Sequence, residues 1–307
     1  MKVSLIAVIV FFAVFFGGEL QAQQSAMYSQ YMFNTLAVNP AYAGSRNVIS
    51  ATALLRNQWT GIEGAPRTST LTIDAPLKDR HIGVGLQIFN DKLGITNTTG
   101  AVFSYAYRIR MEKATLSFGM QGSVNQFTAN YAGIALDPGS EIYDPAFNND
   151  VKKALFNLGT GIYYNSDKYY IGLSSPELLS NKLASDSSNL TKRFFHIYFA
   201  SGYVFDINND FKFKPSFLFK AVKGSPLQAD LNATIWIKDR LALGAQYRTS
   251  ADILGLLELQ ISPQIKVGYA YDHSTTKLRK FNSGSHEIML RYEFGFSAGK
   301  VLSPRYF

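Results

Sequence analysis

From residue 46 onward the apolar side chains recur at every second position. That period leaves the backbone one regular option, an extended strand with an apolar and a polar face. Residues 81–90 show it most plainly: Ile82, Val84, Leu86 and Ile88 share one face, and Gly83, Gly85 and Gln87 the other. Leu116, Phe118, Met120 and Val124 alternate in the same way with Thr115, Ser117, Gln121, Ser123 and Asn125, and Leu231, Ala233, Ile235 and Ile237 with Asp230, Asn232, Thr234 and Trp236. Near the end, Ile288, Leu290, Tyr292, Phe294 and Phe296 oppose Glu287, Arg291 and Glu293.

Applied throughout, the test gives about 14 strands, near the length a tilted strand needs to cross a bilayer. The expected spans are 47–57, 68–76, 81–91, 97–109, 114–127, 154–165, 168–175, 193–207, 211–222, 226–238, 240–249, 252–262, 264–272 and 284–296. An even count returns both ends of the sheet to one side. The connections agree, because barrels that cross an outer membrane alternate short periplasmic turns with longer external loops. Residues 77–80, 110–113, 166–167, 206–210, 239 and 263 form a short set. Residues 58–67, 128–153, 176–192 and 273–283 belong to the other set, together with the remaining short links. The fold class is therefore all-β, a transmembrane antiparallel β-barrel with both termini periplasmic.

Composition supports this. Charged residues make up only 17% of the chain, with 18 Tyr and 23 Phe, and mean hydropathy is close to zero. A polytopic helical protein would be far more apolar, whereas a barrel with one wet and one greasy face averages out. Paired tyrosines, Tyr105 with Tyr107, Tyr163 with Tyr164, Tyr169 with Tyr170 and Tyr269 with Tyr271, fall near strand ends and suit interfacial girdles. At the N-terminus, Lys2, the apolar run 3–16 and Leu20-Gln21-Ala22 read as a secretory signal peptide, too short to span as a helix. The expected organisation is a signal peptide at 1–22, a periplasmic or plug segment at 23–46, the outer-membrane barrel at 47–296 and a periplasmic tail at 297–307.

Catalytic and cofactor signals are missing from the sequence. Cysteine is absent, and His81, His196, His273 and His286 have no metal-ligand spacing. No nucleophile elbow, Walker motif or dinucleotide fingerprint occurs, so neither an enzyme nor a cofactor is expected. The formal charge is +8, but its basic residues are interleaved with acids, which argues against nucleic acid. The densest run, Lys277, Arg279 and Lys280, suits the phosphates of lipid or lipopolysaccharide headgroups.

Two features remain. If the greasy faces meet lipid, then Lys212, Lys214, Asp230, Arg248, Glu258, Lys266, Glu287, Arg291 and Glu293 project into the lumen, either paired across it or lining a pore; pairing is the favoured expectation. Before the first strand, residues 23–45 are apolar and aromatic without alternation, and need covering by the barrel or by a partner.

Tyr28-Ser29-Gln30-Tyr31-Met32-Phe33-Asn34, then Asn39-Pro40-Ala41-Tyr42-Ala43-Gly44-Ser45, then Arg56-Asn57-Gln58-Trp59 and Gly64-Ala65-Pro66 resemble, in that order, the opening of the PorP/SprF family of type IX secretion system membrane proteins from Bacteroidetes. Gly284-Ser285-His286-Glu287-Ile288 and Pro304-Arg305-Tyr306-Phe307 resemble its ending. The resemblance implies an outer-membrane barrel serving export or surface anchoring of large proteins, such as gliding adhesins. It also implies partners among periplasmic ring proteins and lipoproteins. Tyr28, Tyr31, Phe33, Asn39, Pro40, Tyr42, Arg305, Tyr306 and Phe307 are the expected periplasmic contacts, and loops 128–153 and 176–192 the expected cargo contacts. A diffusion porin or substrate-specific channel is the alternative, and an outer-membrane hydrolase the second.

Overall fold

The computed structural model describes residues 31, 34–77, 80–131, 150–179, 195–222, 225–249 and 251–294. Fourteen antiparallel strands, each hydrogen-bonded to its neighbours in sequence, form one sheet closed on itself. They are β1 Ile49–Asn57, β2 Arg67–Pro76, β3 Ile82–Leu93, β4 Thr96–Arg110, β5 Ala114–Ala129, β6 Val151–Ser166, β7 Tyr169–Ser175, β8 His196–Tyr203, β9 Phe211–Val222, β10 Gln228–Ile237, β11 Leu241–Arg248, β12 Asp252–Gln260, β13 Ile265–Ser274 and β14 Ser285–Phe294. After a break at Val204, β8 continues as the two-residue Phe205–Asp206, which pairs with Phe213 and Lys212 of β9. The ring closes between β1 and β14, with Ile49 opposite Phe294 and Asn57 opposite His286.

The period-two pattern becomes burial. Along β2 exposed and buried residues alternate strictly from Arg67 to Asp74, and β13 and β14 keep the same period. The outward positions are apolar: Phe103, Met120, Phe156 and Leu158 are each more than half exposed. A continuous apolar outer belt around a polar interior is the surface of a protein dissolved in lipid. Among the described residues no helix is long and apolar enough to cross a membrane.

The two rims differ. The short-turn rim carries the links after β2, β4, β6, β8, β10 and β12, together with the start of β1 and the end of β14. The turn after β10 is tight: Arg240 N–H donates to the Ile237 carbonyl at 3.0 Å, and Lys238 and Asp239 both have positive φ, 51° and 55°. That is the hairpin geometry whose twist matches the flanking strands, made here without glycine. The other rim, the loop end, carries residues 58–66, the links after β5, β7 and β13, and three short ones, after β3, β9 and β11.

The tyrosine pairs correct one expectation. Tyr105, Tyr107, Tyr169, Tyr269 and Tyr271 do face outward, but Tyr163 and Tyr170 are buried inside the barrel. Sequence neighbours on a strand point to opposite faces, so only one residue of an adjacent pair can join a girdle.

Candidate functional site

The lumen is the candidate site, and it is occupied by the chain itself. Residue 31 and residues 34–46 lie within the barrel, and Tyr31, Leu36, Ala41, Tyr42 and Ala43 are all buried. Two short 3-10 turns, Thr35–Ala37 and Pro40–Tyr42, let this stretch turn inside a confined space. The second begins at Asn39, whose side chain accepts from Ala41 N–H at 3.0 Å while its Nδ2 donates to the Ile162 carbonyl of β6 at 3.0 Å. One amide thus caps a turn and fixes it to the wall. Proline at the first position suits that turn, since its missing N–H would have no partner there.

Other anchors are spread around the ring. Asn34 donates to Thr72 of β2 (3.2 Å), Ser174 of β7 to the Val38 carbonyl (2.6 Å), and Asn232 of β10 to the Tyr31 hydroxyl (2.7 Å). Gly44 N–H donates to Asp74 of β2 (2.9 Å), and Arg46 pairs with Glu293 of β14 at 2.9 Å. Burial, and after it the carboxylate of Asp230, hold the Tyr31 hydroxyl protonated well above its ordinary range. Tyr42 meets Tyr163 edge to face at 5.4 Å, and Tyr163 packs on Tyr170 at 5.9 Å.

The wall under this segment has been stripped of side chains. A Cβ on Gly83 would strike the Ala43 carbonyl, one on Gly119 the Ala41 backbone, and one on Gly161 the Asn39 side chain. At Gly85 it would lie 2.6 Å from the Leu36 side chain, and at Gly172 3.0 Å from Asn39 Nδ2. Glycine inside a strand weakens it and is explained where another backbone must approach closely.

The opposite wall, β1 with β10 to β14, is charged. Arg56 reaches Asp272 at 2.6 Å and Glu287 at 3.2 Å, all three almost fully buried. Arg248 binds both oxygens of Asp230, at 2.9 and 3.0 Å, from the position directly across the strand pair, with Asp252 3.8 Å away. Lys266 lies 3.5 Å from Glu258 and over the Trp236 ring, and Arg291 donates to Thr52 at 3.1 Å. These pairs hold wall to wall and owe little to the segment beside them. Charges removed from water are tolerated when paired this closely.

Of the expected lumen residues, Lys214, Asp230, Arg248, Glu258, Lys266, Glu287, Arg291 and Glu293 are buried inside the barrel. Lys212 is the exception: it stands at the short-turn rim, half-buried, bound to Asp239 at 2.7 and 2.9 Å. Its strand has only just begun there, at the rim, so the inward parity does not yet reach the interior. Sequence reasoning missed Arg46, Arg56, Asp74, Asp252 and Asp272, although the inward parity of the strands was the signal for the last four. Tyr31, Asn39, Pro40 and Tyr42, expected on a periplasmic partner, instead contact the barrel wall, because burying their rings and capped turn there covers apolar surface that water would otherwise meet. Tyr28, Phe33, Arg305, Tyr306 and Phe307 lie outside the described residues, as do the signal peptide, the tail and most of both long loops.

Between the seated segment and the loop end lies a cavity of about 110 Å³, whose lining includes Gln87, Phe89, Gln121, His196, Tyr198 and the segment's own Ala37 and Val38. The class is thus a membrane β-barrel with its lumen closed from within. The chain belongs to the type IX secretion system membrane protein PorP/SprF family, whose pattern matches residues 20–292. No curated protein matches it. Among solved structures it is similar to the Ralstonia pickettii toluene transporter TbuX, at 9% identity and TM-score 0.53 over 92% of this chain and 96% of that one. A Pseudomonas aeruginosa FadL homologue is 13% identical at TM-score 0.48, covering 86% and 94%, and Acinetobacter baumannii Omp33 is 8% identical at 0.44, covering 81% and 99%. At such identities the likeness speaks to the fold alone.

Proposed function

We propose that this barrel acts in type IX secretion as a non-catalytic outer-membrane anchor. Its short-turn rim faces the periplasm, where ring proteins or lipoproteins of the system bind it. Its loop end, with residues 128–153 and 176–192, holds a large secreted surface protein. The observation that carries this reading is the filled lumen: with residues 34–46 seated and the opposite wall paired, the rims are the surfaces left for partners. The C-terminal residues 297–307 follow β14 from the short-turn rim, so Arg305, Tyr306 and Phe307 are the periplasmic contacts favoured here. The basic turn Lys277–Lys280 at the loop end suits lipopolysaccharide phosphates.

The test is a mild-detergent pull-down of the tagged protein from its native outer membrane, read by mass spectrometry. Recovery of a very large surface protein together with periplasmic ring or lipoprotein components supports the anchor. A barrel recovered alone would overturn it.

A further inference from the structure

We propose that this barrel is also a pore held shut by its own residues 34–46, and that it passes ions and small hydrophilic solutes when that segment leaves its seat. Three observations converge on this. First, the glycine wall has no side chains of its own at Gly83, Gly85, Gly119, Gly161 and Gly172, so the space that the segment fills would be vacant without it. Second, the charged wall is paired within itself, Arg56 with Asp272 and Glu287, Arg248 with Asp230, and Lys266 with Glu258, so it holds its shape and takes up water when the segment leaves, rather than collapsing across the gap. Third, the cavity toward the loop end already stops on Ala37 and Val38, which makes the segment the barrier between that cavity and the short-turn rim.

A barrel of about 14 strands lies between the small barrels that side chains fill and the larger ones that hold a water channel. Here a length of backbone supplies the missing filling. The anchors named above are single hydrogen bonds between neutral groups, apart from Gly44 to Asp74 and Arg46 to Glu293 at the segment's C-terminal end. The segment can therefore swing away while its connection to β1 remains held. Glu293 and Asp74 face the vacated path together with Lys214, Lys266 and Arg291, so polar solutes are the class admitted, and apolar ones are not.

The experiment is conductance of the full chain in planar bilayers, with the folded state of each variant checked by heat-modifiable gel migration. Gly119→Leu and Gly83→Leu put side chains where the segment's backbone runs, leaving the strands intact; each is expected to raise the open probability at least tenfold over the native protein. Because the chain has no cysteine, Leu36→Cys with Gly85→Cys adds its only thiols, facing each other across the seat. Oxidised, this variant is expected to be silent, and reduction is expected to restore openings. Folded glycine variants that stay silent, or a locked variant that conducts as well as the reduced one, would overturn the proposal. The readout involves no secretion component, so it stands or falls separately from the anchor role.

Discussion

The two walls of the lumen solve the same problem by opposite chemistry. Across β3 to β7 the barrel presents glycine, and the interior is completed by a foreign length of chain that donates, accepts and packs against bare backbone. Across β1 and β10 to β14 it presents long charged side chains that reach one another and complete the interior alone. One wall is a socket and the other a strut. The difference teaches that a barrel too wide for its own side chains can be filled on one side only, keeping the other independent of whatever the socket holds.

The sharpest way to break the strut is Arg56→Met, which takes from the buried Asp272 and Glu287 the guanidinium they share. Unfolding of the purified barrel by guanidinium is expected to show a loss of about 3–5 kcal/mol, and the triple variant with Asp272→Leu and Glu287→Met is expected to recover most of it. Should the single and triple changes cost the same, the charges would not be acting as a unit. On the socket side, Gly161→Leu should cost about 1–3 kcal/mol of overpacking, borne by the seated segment rather than by the sheet. Limited proteolysis should then cut within residues 34–46 while the barrel's own unfolding midpoint stays put; a fall in that midpoint would show that the sheet bears the strain. Asn39→Ala removes a cap and a wall contact together, for about 1–2 kcal/mol, with a smaller gain in cleavage within the same residues. Smallest is Lys212→Ala at the rim, whose partly exposed pair with Asp239 should contribute less than about 1 kcal/mol to the unfolding midpoint.

Most of the strand framework was legible because alternation survives in nearly every crossing, and the lipid enforces it: Leu86 and Ile88 must face out, so Gly85 and Gln87 face in. The same parity located Glu287 and Arg291, and would have located Arg56 and Asp272 had it been applied to every charge. Residues 34–46 carried no such rule. Their turns are held by contacts up to hundreds of residues away in sequence, such as Tyr31 with Asn232 and Arg46 with Glu293, and no local period encodes those. The socket did leave a trace, since Gly83, Gly85, Gly119 and Gly161 all fall on inward positions. Glycine at that parity signals a close approach, but it does not name what approaches.

The seam between β1 and β14 gives the chain an order of events. Nine residue pairs join the first and last strands, and they can form only when everything between them is in place. Arg46, three residues before that seam, bonds to Glu293, which pairs with Ser50 within it. The segment's inner end is therefore completed by the last strand to be made. During assembly the ring's closure and the lodging of its contents become a single late step with high separation along the chain, and an unfinished barrel would be an empty one.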